Sequence, residues 1–267
     1  FVPYKDSIMG SNKFRQLANI LALSAVIAFN AISQALPLNG QTSAMIANRY
    51  PDMLYFPANY AFSIWGIIYT FLTVFIVYQA LPSQRENPVF KRIGYLFVVS
   101  SAFNIAWLTC FHFNAFPLSM VMMILLLGTL LTIYIRLGIG AEPVSRAVKW
   151  CVHIPFSLYI GWITAATITN AGYVLVDAGW NGFGVDAQTW AIIMLVVTGV
   201  VALGMVYFRR DIAYGAVIVW AVTAIASRHA DVTAVQTVAL GVSAITVAAV
   251  AIVAIRWMNE YRLGWSM

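Results

Sequence analysis

The 267-residue chain is 62% hydrophobic and only 9% charged, with a mean hydropathy of +0.83. Soluble domains carry about 25% charged residues, so the composition places the protein in the membrane class and excludes an ordinary soluble domain. The net charge of +6 comes from 15 basic and 9 acidic residues, and their placement reports topology rather than a nucleic-acid surface.

Apolar runs of about 20 residues, enough to cross a bilayer, recur along the whole chain. They predict an all-α integral membrane protein with eight spans, over 17–36, 58–81, 93–113, 117–135, 150–176, 188–208, 212–228 and 232–255. The seventh is the shortest. Small residues at Ser33-Gln34-Ala35 imitate a signal-peptide cleavage site, but the apolar stretch is long for that role, so the first span is expected to be an uncleaved anchor. The first residue is Phe rather than Met, which leaves room for residues upstream.

Loop charge gives an independent count. With the N-terminus inside, the inner segments hold Lys5, Lys13, Arg15, Arg85, Lys91, Arg92, Arg136, Arg146, Lys149, Arg209, Arg210, Arg256 and Arg262. Only Arg49 and Arg228 fall outside. A miscounted helix would scramble this positive-inside bias, so both termini are expected to be cytoplasmic. Cys110 and Cys151 then lie near opposite ends of their spans, too far apart for a disulfide.

No Asp, Glu, Lys or Arg falls at mid-membrane depth in these spans. Proton relays and ion-coupled transport need ionisable groups there, so both readings weaken. Uncharged polar and aromatic residues are concentrated instead. On span two, Phe62, Trp65 and Tyr69 share a face, with Asn59 near the mouth. Ser100, Asn104, Trp107 and Phe111 line one face of span three at helical spacing. On span five, Tyr159, Trp162, Ala166, Asn170 and Tyr173 form a third stripe. The topology brings all three stripes into the outer half of the bilayer, where a common pocket is the economical reading. Spans four and eight are nearly featureless and read as walls.

Other uses of such residues carry weight. Asn, Ser and Thr often serve only as interhelical glue, and Trp and Tyr gather in interfacial belts. A belt residue faces lipid at the interface, whereas Trp65 and Trp162 lie deeper. Catalysis lacks parts: there is no buried acid–base pair and no Ser-His-Asp spacing. The glycine-rich "GWNGFG" at Gly179–Gly184 sits in an outer loop with no following Lys and reads as a turn. His112 is the one histidine placed to act as an axial ligand to a tetrapyrrole metal, although a lone interfacial His is more often hydrogen-bonded or solvated.

The same residues carry a family resemblance. Pro57, followed by Phe62, Trp65 and Tyr69 of "FSIWGIIY", resembles the second helix of the tryptophan-rich sensory protein / translocator protein (TspO) family. The chain's "FNIAWLTCFHF" is similar to the third-helix pattern at Asn104, Trp107 and Phe111, with His112 in place of a second Phe. "LYIGWITAATITN" is similar to the fifth-helix pattern at Tyr159, Trp162, Ala166 and Asn170, with Leu158 in place of a proline. The resemblance covers roughly residues 14–176 and implies a five-helix bundle over 1–176, with three additional helices over 177–267. It further implies a membrane receptor or sensor that needs no cofactor of its own. Such a protein binds a flat lipophile, a tetrapyrrole such as protoporphyrin IX or a sterol, between helices, under the loop Leu38–Phe56. The ligand-contacting set would be Asn59, Phe62, Trp65, Tyr69, Asn104, Trp107, Phe111, Tyr159, Trp162 and Asn170, with no catalytic residue and no protein metal site. Light-dependent porphyrin breakdown, proposed for some relatives, would need only aromatic residues and the ligand.

Two other readings remain at this stage. The chain could be a structural subunit, with spans six to eight docking it into a larger pigment-bearing or respiratory complex or a homo-oligomer. It could also transport an uncharged substrate. Nucleic acid is not an expected partner; the bilayer is.

Overall fold

A computed structural model describes residues 4–264, and over these the chain is helical with no strand. The long helices are α1 (Tyr4–Ala35), α2 (Ile64–Ala80), α3 (Leu96–His112), α4 (Phe116–Arg136), α5 (Ile154–Asp177), α6 (Ala187–Arg209), α7 (Ile212–Arg228) and α8 (Thr233–Gly264). Among the described residues, six helical segments are long and apolar enough to cross a membrane, while α3 and α7 are shorter apolar helices of 17 residues. The side chains of Lys5 and Arg262, counted in the charge asymmetry, lie outside the described ones.

The expected third span, 93–113, shortens for a local reason. Asn87 caps a separate short helix, Pro88–Ile93, by accepting from the Val89 N–H, and Gly94 ends it at φ +56°. Lys91 and Arg92 sit on this short helix and pair with Glu86 and Glu142, so it lies along the end of the bundle and α3 starts only at Leu96. Span two begins with a 3₁₀ turn, Asn59–Ser63, and α5 is preceded by a π-helical turn at Lys149–His153.

α5 is the central helix. In its span, Arg146–Asp177, 61% of the most apolar window is buried, against 22–33% in the other five. α5 packs against α2, α4 and α7. Close approach to α7 depends on Gly161, where an added Cβ would meet Val217 at 3.2 Å. α7 is clasped in turn by α6 and α8: at Gly215 a Cβ would fall 2.6 Å from Val206 and 2.8 Å from Val250. The main hydrophobic cluster runs without a break from Ile68 on α2 through Trp162 on α5 to Ala221 on α7 and Ala239 on α8. Residues 177–264 therefore share their core with the segment expected to form a five-helix bundle.

Polar side chains fasten the end of the bundle that carries most of the basic residues. Gln16 and Gln79 exchange bonds with each other's backbone, Gln16 Nε2 to Gln79 O at 2.6 Å and Gln79 Nε2 to Gln16 O at 3.1 Å. Asp211 is buried at the α6–α7 turn. Its Oδ2 accepts from Tyr134 Oη at 2.8 Å and Ser157 Oγ at 2.7 Å, while its Oδ1 caps the Tyr214 N–H at 3.0 Å. Despite these donors, burial holds the Asp211 carboxyl above the ordinary carboxylate range.

Candidate functional site

At the other end of the bundle the chain encloses a cavity of about 490 Å³. Its size falls within the roughly 300–1,000 Å³ of small-molecule sites. Helices α2, α3 and α5 each contribute a tryptophan. Trp65 is stacked on Tyr69 one turn along α2, with centroids 5.3 Å apart. Trp107 is 6.5 Å and Trp162 is 6.4 Å from Trp65, the latter at an interplanar angle of 82°. These are the offset and edge-to-face geometries that aromatic quadrupoles favour.

Of the sequence-predicted residues, Phe62, Trp65 and Tyr69 line the cavity from α2 and its first turn, with Asn59 at the exposed rim. Trp107 and Phe111 line it from α3, and Trp162 and Asn170 from α5. Asn104 and Tyr159 do not line it. They are buried behind it, where Asn104 Nδ2 donates to Tyr159 Oη at 3.1 Å and Asn104 Oδ1 accepts from Asn30 Nδ2 at 3.2 Å. A helical stripe identifies a face but not which members of it find each other first.

Asn170 lies at the wall and works partly as a tie. Its Oδ1 accepts from Trp107 Nε1 and from Ser119 Oγ, each at 3.2 Å, so it joins α3, α4 and α5. Among the described residues that line the cavity, Tyr69 is the one with a buried polar atom left unsatisfied. Its hydroxyl oxygen is buried with no hydrogen-bond partner, although the ring lines the cavity. A buried hydroxyl without a partner is costly and rare in a finished core.

Sequence reasoning missed part of the wall. Ile27, Asn30, Ala31 and Gln34 of α1 face the cavity, and their i, i+3, i+4, i+7 spacing was available as a signal. Ala221 and Ile225 of α7 also line it, and residues so plain carry no signal of their own.

The loop after α1 forms the cover. Ser43, Tyr55, Phe56 and Pro57 reach the cavity, and a small apolar cluster of Ile46, Met53, Phe56, Phe111, Phe116 and Tyr173 lies beneath the loop. Tyr173 Oη donates to Ile46 O at 3.1 Å and Tyr50 Oη donates to Asp177 Oδ1 at 2.6 Å. Burial raises the Tyr50 hydroxyl, and the bond to Asp177 raises it further. Arg228, past the end of the α7 lining, stands 4.8 Å over the Phe56 ring and donates to Asn48 at 3.0 Å. The adjoining His229 is pushed down by burial and by the Arg228 charge.

His112 belongs to this cover and not to the cavity lining. Its Nδ1 lies 3.1 Å from Gln41 O and its Nε2 3.0 Å from Ser43 Oγ, so both ring nitrogens are engaged and neither is presented as an axial ligand.

Neither curated proteins nor solved structures match the chain. A family model described as TSPO-like protein matches residues 16–254, which takes in all of α2 to α7 and most of α1 and α8. That match, together with the apolar helices wrapped around a tryptophan-lined cavity, identifies the chain as a multi-pass integral membrane protein belonging to the TspO-like family.

Proposed function

We propose that the protein is a membrane receptor or sensor that binds a flat lipophile of the tetrapyrrole class in the cavity among α2, α3 and α5, with α1 and α7 completing the wall. All eight helices cross the bilayer in this reading, both termini are cytoplasmic, and the covered cavity opens towards the outer face. The observation that carries the reading is the convergence of Trp65, Trp107 and Trp162 on one cavity that the protein's own side chains leave unfilled. A purely structural subunit would be expected to close such a space, because interiors pack to near-crystalline density. Broad aromatic surfaces suit a flat apolar macrocycle, and the buried Tyr69 hydroxyl supplies a polar contact for its edge. Among the described residues no acid–base pair lines the cavity, which favours binding over catalysis.

The test is a protoporphyrin IX titration of the purified protein followed by tryptophan fluorescence, after an absorption spectrum of the protein as isolated. Saturable quenching at micromolar or lower ligand, lost in Trp65→Ala and Trp162→Ala, is expected. Quenching that is absent, or that persists unchanged in both variants, would overturn the assignment.

A further inference from the structure

A second cavity, of about 520 Å³, lies on the opposite side of α5. Ala166, Thr169, Asn170 and Tyr173 turn towards the first cavity, while Thr167, Ile168, Ala171, Gly172 and Leu175 turn towards the second. Among the described residues, Tyr55 alone lines both. It is buried, and its hydroxyl lies 2.7 Å from Thr198 Oγ1 on α6, so it forms a fixed partition.

The glycine-rich loop roofs this second space. Trp180 and Trp190 meet with ring centroids 5.2 Å apart, and Trp190 Nε1 donates to Gly182 O at 2.9 Å. Gly182 has φ +66°, and a Cβ there would lie 3.1 Å from Trp190 Nε1, so glycine is needed for the ring to seat under the loop. The motif that reads as a mere turn is thus built against a cavity wall.

The lining has a direction. Met120, Met194 and Thr167 are at the deep end, and the Thr167 hydroxyl is already spent on Ile163 O at 2.7 Å. Asp52 and Asn181, both exposed, are at the loop end. The rim is apolar and open: Leu175, Val176 and Val185 are 38%, 42% and 38% exposed on the outer surface of the bundle. From Thr167 to Val176 the wall runs roughly 13 Å along α5 at 1.5 Å per residue.

We propose that this cleft is a second ligand site, for a single-chain amphiphile with an uncharged, hydroxyl-bearing head, entering from the bilayer. The chain lies between α5 and α6 against methionines, whose flexible thioethers adapt to a ligand without fixed shape. The head rests at Asp52 and Asn181, where a carboxylate accepts from a hydroxyl and repels an anionic head. A floor whose Thr167 hydroxyl is already bonded within α5, with exposed polar groups at the mouth, suits an acyl chain better than a ligand with polar groups around its edge. The proposal is independent of what occupies the first cavity.

The experiment uses the full chain in nanodiscs and a monoacylglycerol carrying a photoreactive diazirine in its acyl chain, with labelled residues located by mass spectrometry. Labelling concentrated at Met53, Met120, Met194 and the 180–190 segment is expected, competed by unlabelled monoacylglycerol and at least fivefold weaker for the corresponding fatty acid. Ala171→Phe, which fills the cleft, is expected to cut this labelling at least fivefold while leaving the protoporphyrin IX titration as in the parent protein. Labelling spread over the exposed faces of α4 and α8 and not competed would mean bulk lipid contact only, and would overturn the site. Competition in the unmodified chain decides the matter if Ala171→Phe fails to fold.

Discussion

Asn104 donates its amide N–H to the Tyr159 hydroxyl behind the cavity wall. The 3.1 Å bond from Asn104 Nδ2 to Tyr159 Oη joins α3 to α5 beneath Trp65, whose ring centroid is 6.1 Å from that of Tyr159. Tyr159→Phe removes the acceptor, and the expected cost is about 1 kcal/mol, within the range measured for such bonds between membrane helices. The melting temperature in detergent should fall while the protoporphyrin affinity stays within about twofold. A tenfold loss of affinity with unchanged melting would place Tyr159 on the ligand after all.

Tyr69 should behave the opposite way. Its buried hydroxyl has no partner, so Tyr69→Phe is expected to leave stability unchanged or slightly raised. If the ligand supplies the missing partner, the same change weakens binding by about 2–10-fold, the worth of one neutral hydrogen bond. Thermal unfolding and the fluorescence titration, run on the same preparation, separate the two effects.

Asp211 makes a pH prediction whose sign follows from its burial. Its carboxyl is held above the ordinary value of 3.8 in the folded protein, so folding favours the protonated form. That contribution is complete below the unfolded value and is lost as pH rises through the elevated folded one. Asp211→Asn does not ionise: it keeps an oxygen for the Tyr214 N–H and presents its amide NH2 to the Tyr134 and Ser157 hydroxyls, which can turn to accept. The melting temperature of the parent relative to the variant should therefore decline from pH 4 upwards. A constant difference across pH 4–8 would contradict this.

Gly140 lies where the α4–α5 loop touches the end of α6. It has φ +76°, and an added Cβ would fall 1.7 Å from the Arg209 carbonyl oxygen. Gly140→Ala should cost at least ~2 kcal/mol through backbone strain and displacement of that contact. Gly128, in α4 with nothing within 4 Å of its missing Cβ, is the control, and its alanine variant should melt no lower than the parent.

Much of the helical order was legible because apolar runs of bilayer length leave few alternatives. The break at Gly94 was not, since its effect lies in one positive φ within an otherwise apolar stretch. In the cavity, Trp65, Trp107 and Trp162 could be placed by periodicity, and of the ten residues expected to contact the ligand all but Asn104 and Tyr159 line its wall. The contribution of α7 was invisible. Ala221 and Ile225 differ in no chemical respect from lipid-facing residues, and only the close packing at Gly161 and Gly215 brings them inward. His112 shows a different limit: its sequence position allows either an axial ligand or, more commonly, a hydrogen-bonded histidine, and the loop that occupies both its nitrogens decides for the second.

The position of α7 also bears on how the protein can be dissected. Trp220 donates its indole N–H to Ala61 O at 3.0 Å, and the Ala58 N–H donates to Ala224 O at 3.0 Å, so the entry to α2 is pinned from the far end of the chain. A fragment ending at residue 176 would retain all three cavity tryptophans yet lose this anchor and the Ala221–Ile225 wall. The cavity cannot be excised intact with the N-terminal part, and under the proposed function a stop codon ahead of α7 should weaken protoporphyrin IX binding as much as the loss of a tryptophan.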